Sequence, residues 1–228
     1  MILVTGATGN VGRPLVAALL SQGARVRAVT RDAASAGLPE GVEVVEAECG
    51  RPDTVAEHLD GVSSVLINSA AIGDAVGEFV ELARERGVRR LVGVSAFNIE
   101  QSFALQPSRF LGHRNAETEA AVVASGLEWV SLRPASFAGP AQLALWGPQI
   151  QAGDVVCGPF AGMADPAIDP RDVGEVAAHA LLHDDLVGRK PVLTGPEAVS
   201  HAYQVNAIGA ALDRPLKYQE ISLERTAE

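Results

Sequence analysis

Gly6, Gly9 and Gly12 stand three residues apart in the stretch TGATGNVG, between a short apolar run and a longer one. Each does something a side chain would prevent. Gly6 permits a tight turn, Gly9 lets the backbone approach a pyrophosphate, and Gly12 lets a helix pack close to a strand. The free N–H groups at the start of that helix then face the phosphates. Thr8, Asn10 and Val11 complete the turn and belong to the same candidate site. The chemistry this spacing suits is dinucleotide binding.

The end of the second apolar run chooses between two dinucleotides. A carboxylate there bonds a ribose 2′-OH, whereas an arginine accommodates a 2′-phosphate. The run ends AVTRD: Thr30 stands where an acid would be expected, and Arg31 follows. The guanidinium suits a phosphate. Asp32 is a competing signal, although it can equally cap the turn or form a salt bridge. NADP(H) is therefore the expected cofactor, with NAD(H) the alternative.

Further stretches extend the pattern: VTGATGNVGRPLV, VTRD, SAFNIE, HRNAETEAAVVASGLEWVSLRPASF, IDPRDVGEVAA and LTGPEAVS. Through them nearly the whole chain resembles the NmrA-like group of atypical short-chain dehydrogenases. That group includes NADPH-dependent quinone reductases of the type-2 kind, reductases of secondary metabolism, and redox-sensing regulators that bind dinucleotide without turning it over. The resemblance implies an α/β, Rossmann-like doubly wound parallel sheet with a small C-terminal substrate lobe. Similar proteins continue past the equivalent of Glu228 with helices over the substrate pocket, so a less closed site is expected here.

Most short-chain dehydrogenases place a tyrosine four residues before a lysine, and the pair exchanges a proton with the substrate oxygen as hydride moves. This sequence has only Tyr203 and Tyr218, and only Lys190 and Lys217, in no such spacing. Leu111 and Asn115 occupy the expected positions. Ordinary alcohol–ketone interconversion is disfavoured. A quinone-like or enone acceptor tolerates hydride without a strong acid, because the resulting anion is delocalised and solvent can protonate it. The expected function is NADPH-dependent reduction of such an acceptor, with a non-catalytic NADP(H)-binding redox sensor as the alternative.

Two residues are catalytic candidates. His113 lies just before the helix that carries the vacant pair's positions and can deliver a proton, although a surface or capping histidine would look the same. Ser95, at the carboxyl end of the fifth strand, can bond the substrate or the nicotinamide ribose. Glu117 and Glu119 read as a solvated helix face or a salt bridge rather than as acids. Ligands of such sheets sit beyond the strands' carboxyl ends. Asn68, Ser69 and Ala70 should then pass over the adenosine side, and Pro134 and Phe137 should back the nicotinamide. Phe97, Phe103, Phe110, Phe137, Trp146 and Phe160 all fall in expected edge loops. With aromatics at 4% of the chain, that favours a flat, aromatic or quinone substrate.

The elements that must position these residues alternate. Strand-length runs rich in valine, isoleucine and leucine occupy 2–5, 25–29, 42–47, 64–68, 90–95 and 128–133, and helical patterns cover 11–22, 75–86 and 115–125. Strand–helix–strand alternation with short joints predicts a parallel sheet covered on both faces. Residues 1–135 form the expected cofactor-binding core. Residues 136–228 form a C-terminal lobe with closing elements, in the same compact domain. Within it 136–170, rich in proline, glycine and alanine, shows few clear periods. A helix restarts at Asp169-Pro170, with a strand near 191–195, a helix over 201–212 and a strand near 216–221.

Composition narrows the partners. A net charge of −10 argues against nucleic acid and anionic lipid, which want a basic patch. Cys49 and Cys157 match no metal spacing and no secreted framework. No apolar run reaches membrane-span length, and none at the N-terminus resembles a secretory leader, so a cytoplasmic monomer or homodimer is expected.

Overall fold

A computed structural model describes residues 1–222. The first half runs β1 (Ile2–Val4), α1 (Gly12–Ser21), β2 (Val26–Thr30), β3 (Glu43–Glu46), β4 (Ser64–Asn68), α2 (Ser69–Ile72), α3 (Val76–Glu85) and β5 (Arg90–Val94). It continues with α4 (Asn115–Ala124), β6 (Glu128–Pro134), α5 (Pro140–Ala152), β7 (Val155–Gly158), β8 (Ala164–Asp165) and α6 (Pro170–Leu182). The chain closes with β9 (Val192–Leu193), β10 (Val199–Ser200), α7 (His201–Ala211) and β11 (Lys217–Glu220). Every strand and helix expected from the sequence forms, within two residues of its expected bounds. Residues 223–228 of the expected lobe lie outside the described residues.

The chain divides into two units. The first comprises Met1–Pro134 and Pro170–Leu193, so the helix and strand at 170–193 cluster with the core rather than with the residues around them. The second comprises Ala135–Asp169 and the chain from Thr194 onward.

In the first unit seven strands pair in the order β3-β2-β1-β4-β5-β6-β9, all parallel. Successive side chains of a strand point to opposite faces, and both faces are covered. Ile2, Val4, Val92 and Leu132 pack with Leu15, Leu19 and Leu181 of α1 and α6. Leu3, Val65, Ile67 and Leu91 pack with Phe79 and Val80 of α3 and Val122 of α4. Each fully buried Leu or Phe contributes about 1.5–3 kcal/mol. The order reverses between β1 and β4, which opens a crevice at their carboxyl ends.

The second unit corrects one expectation. Residues 140–152 form a helix despite Pro148 in its interior, where a proline removes a backbone donor. Tertiary packing decides it: Trp146 and Ile150 of α5 bury against Val156, Val205, Ile208 and Leu216. Trp146, 6% exposed, is thus a core residue of a helix and not part of an edge loop. A parallel pair, β7–β11, and an antiparallel pair, β8–β10, complete this unit.

One close approach in the first unit can be tested. A Cβ on Gly174 of α6 would lie 2.8 Å from the Leu15 backbone nitrogen of α1. Gly174→Ala gains at most about 1 kcal/mol of helix propensity, against an overpacking cost of about 1–3 kcal/mol. Thermal unfolding followed by circular dichroism should therefore show a lower melting temperature. An equal or higher one would mean that the two helices separate without cost.

Candidate functional site

The turn after β1 is built from contacts no side chain would allow. Gly6 has φ +64°, and a Cβ there would meet the Asn68 amide at 3.0 Å. A Cβ on Gly12 would fall 2.2 Å from the Gly6 carbonyl oxygen and 2.7 Å from the Ala7 backbone. Helix α1 can start against the strand only because this space stays empty. Thr5 holds the other side: its Oγ1 accepts from the Asn68 N–H (2.9 Å) and donates to the Leu66 carbonyl (2.9 Å). No acidic residue lies in the first turn of α1, so its positive end is uncompensated.

Gly6, Thr8, Gly9, Arg31, Asn68 and Ala70, all expected in the site, line one cleft of about 460 Å³. Asp32 shares the cleft but is occupied: its carboxylate accepts from the Ser35 N–H (3.1 Å) and hydroxyl (2.6 Å). The Ser35 hydroxyl and N–H hold that carboxyl below its usual range. Arg31 is exposed and makes no hydrogen bond or ion pair among the described residues. The far wall, Ala47, Glu48, Cys49 and Gly50, was not expected from sequence; it follows β3 and carries no recognisable binding motif. Burial pushes the Cys49 thiol up to about 12, so it lines the cleft as a neutral group. Arg13 was missed as well. Its guanidinium donates to the carbonyls of Thr8 (3.0 Å), Ala36 (2.9 Å) and Gly37 (2.8 Å), which fastens the glycine turn to the loop after β2. Backbone acceptors leave no trace in a sequence.

Other expected residues support the cleft without lining it. Val11 is buried at the start of α1, Gly12 packs beneath the turn, and Asn10 is exposed. Ser69 is buried and donates to Asn115 Oδ1 (2.5 Å). Pro134 ends β6, and its carbonyl accepts from the Phe97 N–H (3.0 Å). Phe137 belongs to the second unit, half-buried, and bridges to Ile168.

Around α4 the catalytic candidates separate. Ser95 is buried and spends its proton on the Asn115 carbonyl (3.2 Å), so it anchors the helix start and has no donor left for a substrate. His113 is half-buried, and burial pushes its imidazole below the usual 6.5. Among the described residues its ring has no hydrogen-bond partner. Leu111 is 79% exposed, while Asn115 is buried. Glu117 pairs with Arg109 (2.7 Å). Glu119 is buried between Arg133 (2.7 Å), Lys190 (2.8 Å) and the Ser131 hydroxyl (2.7 Å). Both glutamates are salt-bridge partners, as expected. No group of His, Cys, Asp and Glu able to hold a metal occurs among the described residues, and no described helix is long and apolar enough to cross a membrane.

Comparison with known proteins matches residues 6–184 to a family model described as NAD(P)H-binding. The chain belongs to this NAD(P)H-binding, NmrA-like family of atypical short-chain dehydrogenases. It is 35% identical, over its whole length and 80% of the relative's, to a (4-alkanoyl-5-oxo-2,5-dihydrofuran-3-yl)methyl phosphate reductase of Streptomyces griseus. It is 29% identical to an NAD(P)H azoreductase of Xenophilus azovorans, over all of this chain and 79% of that one. Among solved structures, an NADPH-dependent quinone oxidoreductase from Escherichia coli superposes with a TM-score of 0.82 at 22% identity, covering all of this chain and 80% of that one. At that identity the likeness shows the fold.

The residues present fit the dinucleotide of an NAD(P)H-binding protein. Gly6, Gly9 and Gly12 leave the cradle that a Cβ would fill, and α1 turns an uncompensated positive end toward it. Elsewhere in the first unit, Glu119 ties α4 to β6, and this NmrA-like chain should register its titration. Burial opposes ionisation of Glu119, but bonds from Arg133, Lys190 and Ser131 outweigh it and bring the carboxyl from 4.5 down to about 2. A depressed folded-state pKa contributes stability that is complete above 4.5 and lost as pH falls toward 2. Urea unfolding across that range should show a steep loss in the wild type and a shallower one in Glu119→Gln, which is also less stable at neutral pH. Identical slopes would remove Glu119 from the acid transition.

Proposed function

We propose that the protein is an NADPH-dependent reductase of flat, electron-poor conjugated acceptors, quinones or activated enones. The carrying observation is the state of the two positions where an acid–base pair would sit: Leu111 points into solvent and Asn115 is committed to hydrogen bonds. Of the chain's two lysines and two tyrosines, one of each is engaged elsewhere. Lys190 holds Glu119, and the Tyr218 hydroxyl donates to the Pro159 carbonyl (2.8 Å). An acceptor that needs a strong acid is poorly served here. One whose reduced form delocalises its charge is not.

Bound NADPH supplies a hydride, and one proton completes reduction of a quinone to a hydroquinone. The chain's own residues bind and orient. The glycine turn and Asn68 hold the cofactor's diphosphate and adenosine end, and unpartnered Arg31 suits a 2′-phosphate, which supports NADPH over NADH. His113 is the residue that can pass a proton. Burial holds its pKa below 6.5, so it is mostly neutral near pH 7 and gains the acidic imidazolium proton only at lower pH. Relatives named for an azo compound and an alkanoyl-oxo-dihydrofuran support the acceptor class, since both are conjugated.

Two measurements test the reading. In calorimetric titrations Arg31→Ala should weaken NADPH roughly 10- to 100-fold, the range for losing a charge-assisted bond, with NADH little changed. Equal losses for both would remove the 2′-phosphate assignment. In absorbance assays purified protein should oxidise NADPH with a simple naphthoquinone but leave a secondary alcohol with NADP untouched. Binding without turnover on any quinone or enone would assign a redox sensor instead. If His113 donates, the deficit of His113→Ala should be small near neutrality and grow as pH falls below 6.5, toward the roughly 10²–10⁴-fold scale of general acid catalysis. A pH-independent ratio of the two rates would make His113 a bystander.

A further inference from the structure

Asn115 opens α4 where the pair's lysine is missing, yet both polar atoms of its side chain and its carbonyl are hydrogen-bonded. The residue is 8% exposed; Oδ1 accepts from Ser69 Oγ (2.5 Å) and Nδ2 donates to Ser108 Oγ (3.1 Å). Its carbonyl accepts from Ser95 Oγ (3.2 Å). Three serines from three separate stretches of chain converge on one residue.

Those stretches lead in two directions. Ser69 follows Asn68, which lines the dinucleotide cleft and packs against Gly6. Ser108 lies in the short helical turn Pro107–Leu111, and its carbonyl accepts from the His113 N–H (3.1 Å). One amide therefore ties the cleft's edge to the turn that carries His113. Little else does. Phe103, Leu105, Phe110 and Leu111 of this loop are exposed, and the buried Gln106 bonds only to carbonyls of the loop itself, Ile99 and Gln101. Glu100 reaches Arg133 at the loop's beginning, and the Arg109–Glu117 pair is part-exposed and of small worth beside a buried amide.

We propose that Asn115 is a positioning residue: by holding Ser69 and Ser108 at once, it fixes His113 relative to the cofactor cleft. It touches no reacting atom and acts through His113, so the kinetic part of the proposal rests on the reductase reading.

Two substitutions separate the link from the fold. Asn115→Ala removes both side-chain bonds. Asn115→Asp keeps them, because each serine hydroxyl can donate to a carboxylate oxygen. Hydrogen exchange should show the amides of 108–113 opening about tenfold faster in Asn115→Ala, with β5 amides unchanged, and near wild-type rates in Asn115→Asp. On a quinone, kcat should fall about tenfold in Asn115→Ala and recover in Asn115→Asp, with NADPH affinity close to wild type. In the double variant with His113→Ala the two losses should not multiply. Unchanged exchange at 108–113 overturns the proposal whether or not any acceptor is reduced, and so do multiplying losses. Failure of the reductase reading looks different: the wild type turns over no acceptor, while the exchange result still decides for or against the link. If Asn115→Ala does not fold, Ser108→Ala cuts the loop side alone and must quicken the same amides.

Discussion

The structure hinges on an empty space a few ångströms across. Where β1 hands over to α1, a single Cβ on Gly12 would collide with the Gly6 carbonyl and the Ala7 backbone. Because that atom is missing, α1 can start directly on the end of its strand. The helix then packs its Leu15–Leu19 stripe against the sheet and offers Leu15 and Pro14 to Gly174 of α6. The cleft is a by-product of the same geometry. Where the strand order reverses, the glycine turn and the end of β4 face each other, and Thr5 spans them by bonding both Leu66 and Asn68. Fold and binding site thus obey one steric condition.

Charge does the finer selection. Asp32 and Arg31 are neighbours at the same cleft, one of each sign, yet only one is available. The Ser35 hydroxyl and N–H occupy the Asp32 carboxylate, and Arg31 is left to meet whatever enters. A similar economy governs α4. Glu119, which in isolation looks like an acid, is surrounded by donors and serves to bind the helix to β6.

The parts of this arrangement that were legible in the sequence are those with a local cause. Glycine spacing, strand-length apolar runs and helical periods act within a few residues; they located the sheet and its helices and, with the rule that ligands sit beyond the strands' carboxyl ends, six of the cleft's residues. What depends on distant partners was not legible. Helix α5 exists because Trp146 and Ile150 find Val205 and Leu216 far along the chain, which overrides an internal proline and a composition suggestive of a loop. Ser95 reads as a substrate ligand until the Asn115 carbonyl is seen above its hydroxyl. Arg13 gave no signal, since its partners are all main-chain oxygens.

The path of the chain between the two units carries a consequence for how the molecule is made. The polypeptide leaves the first unit at Pro134, returns at Pro170 and leaves again after Leu193. On the ribosome the first sheet can therefore acquire its last strand, β9, before the second unit has either α7 or β11. Strand β7 emerges early, but its parallel partner β11 is nearly the last described stretch to appear. For most of that interval β7 has no partner and Val156 has no core to enter, a condition that favours pairing with other chains. The vulnerable interval in this protein's synthesis thus falls in the smaller unit, opening before β9 joins the first sheet and closing only when β11 appears.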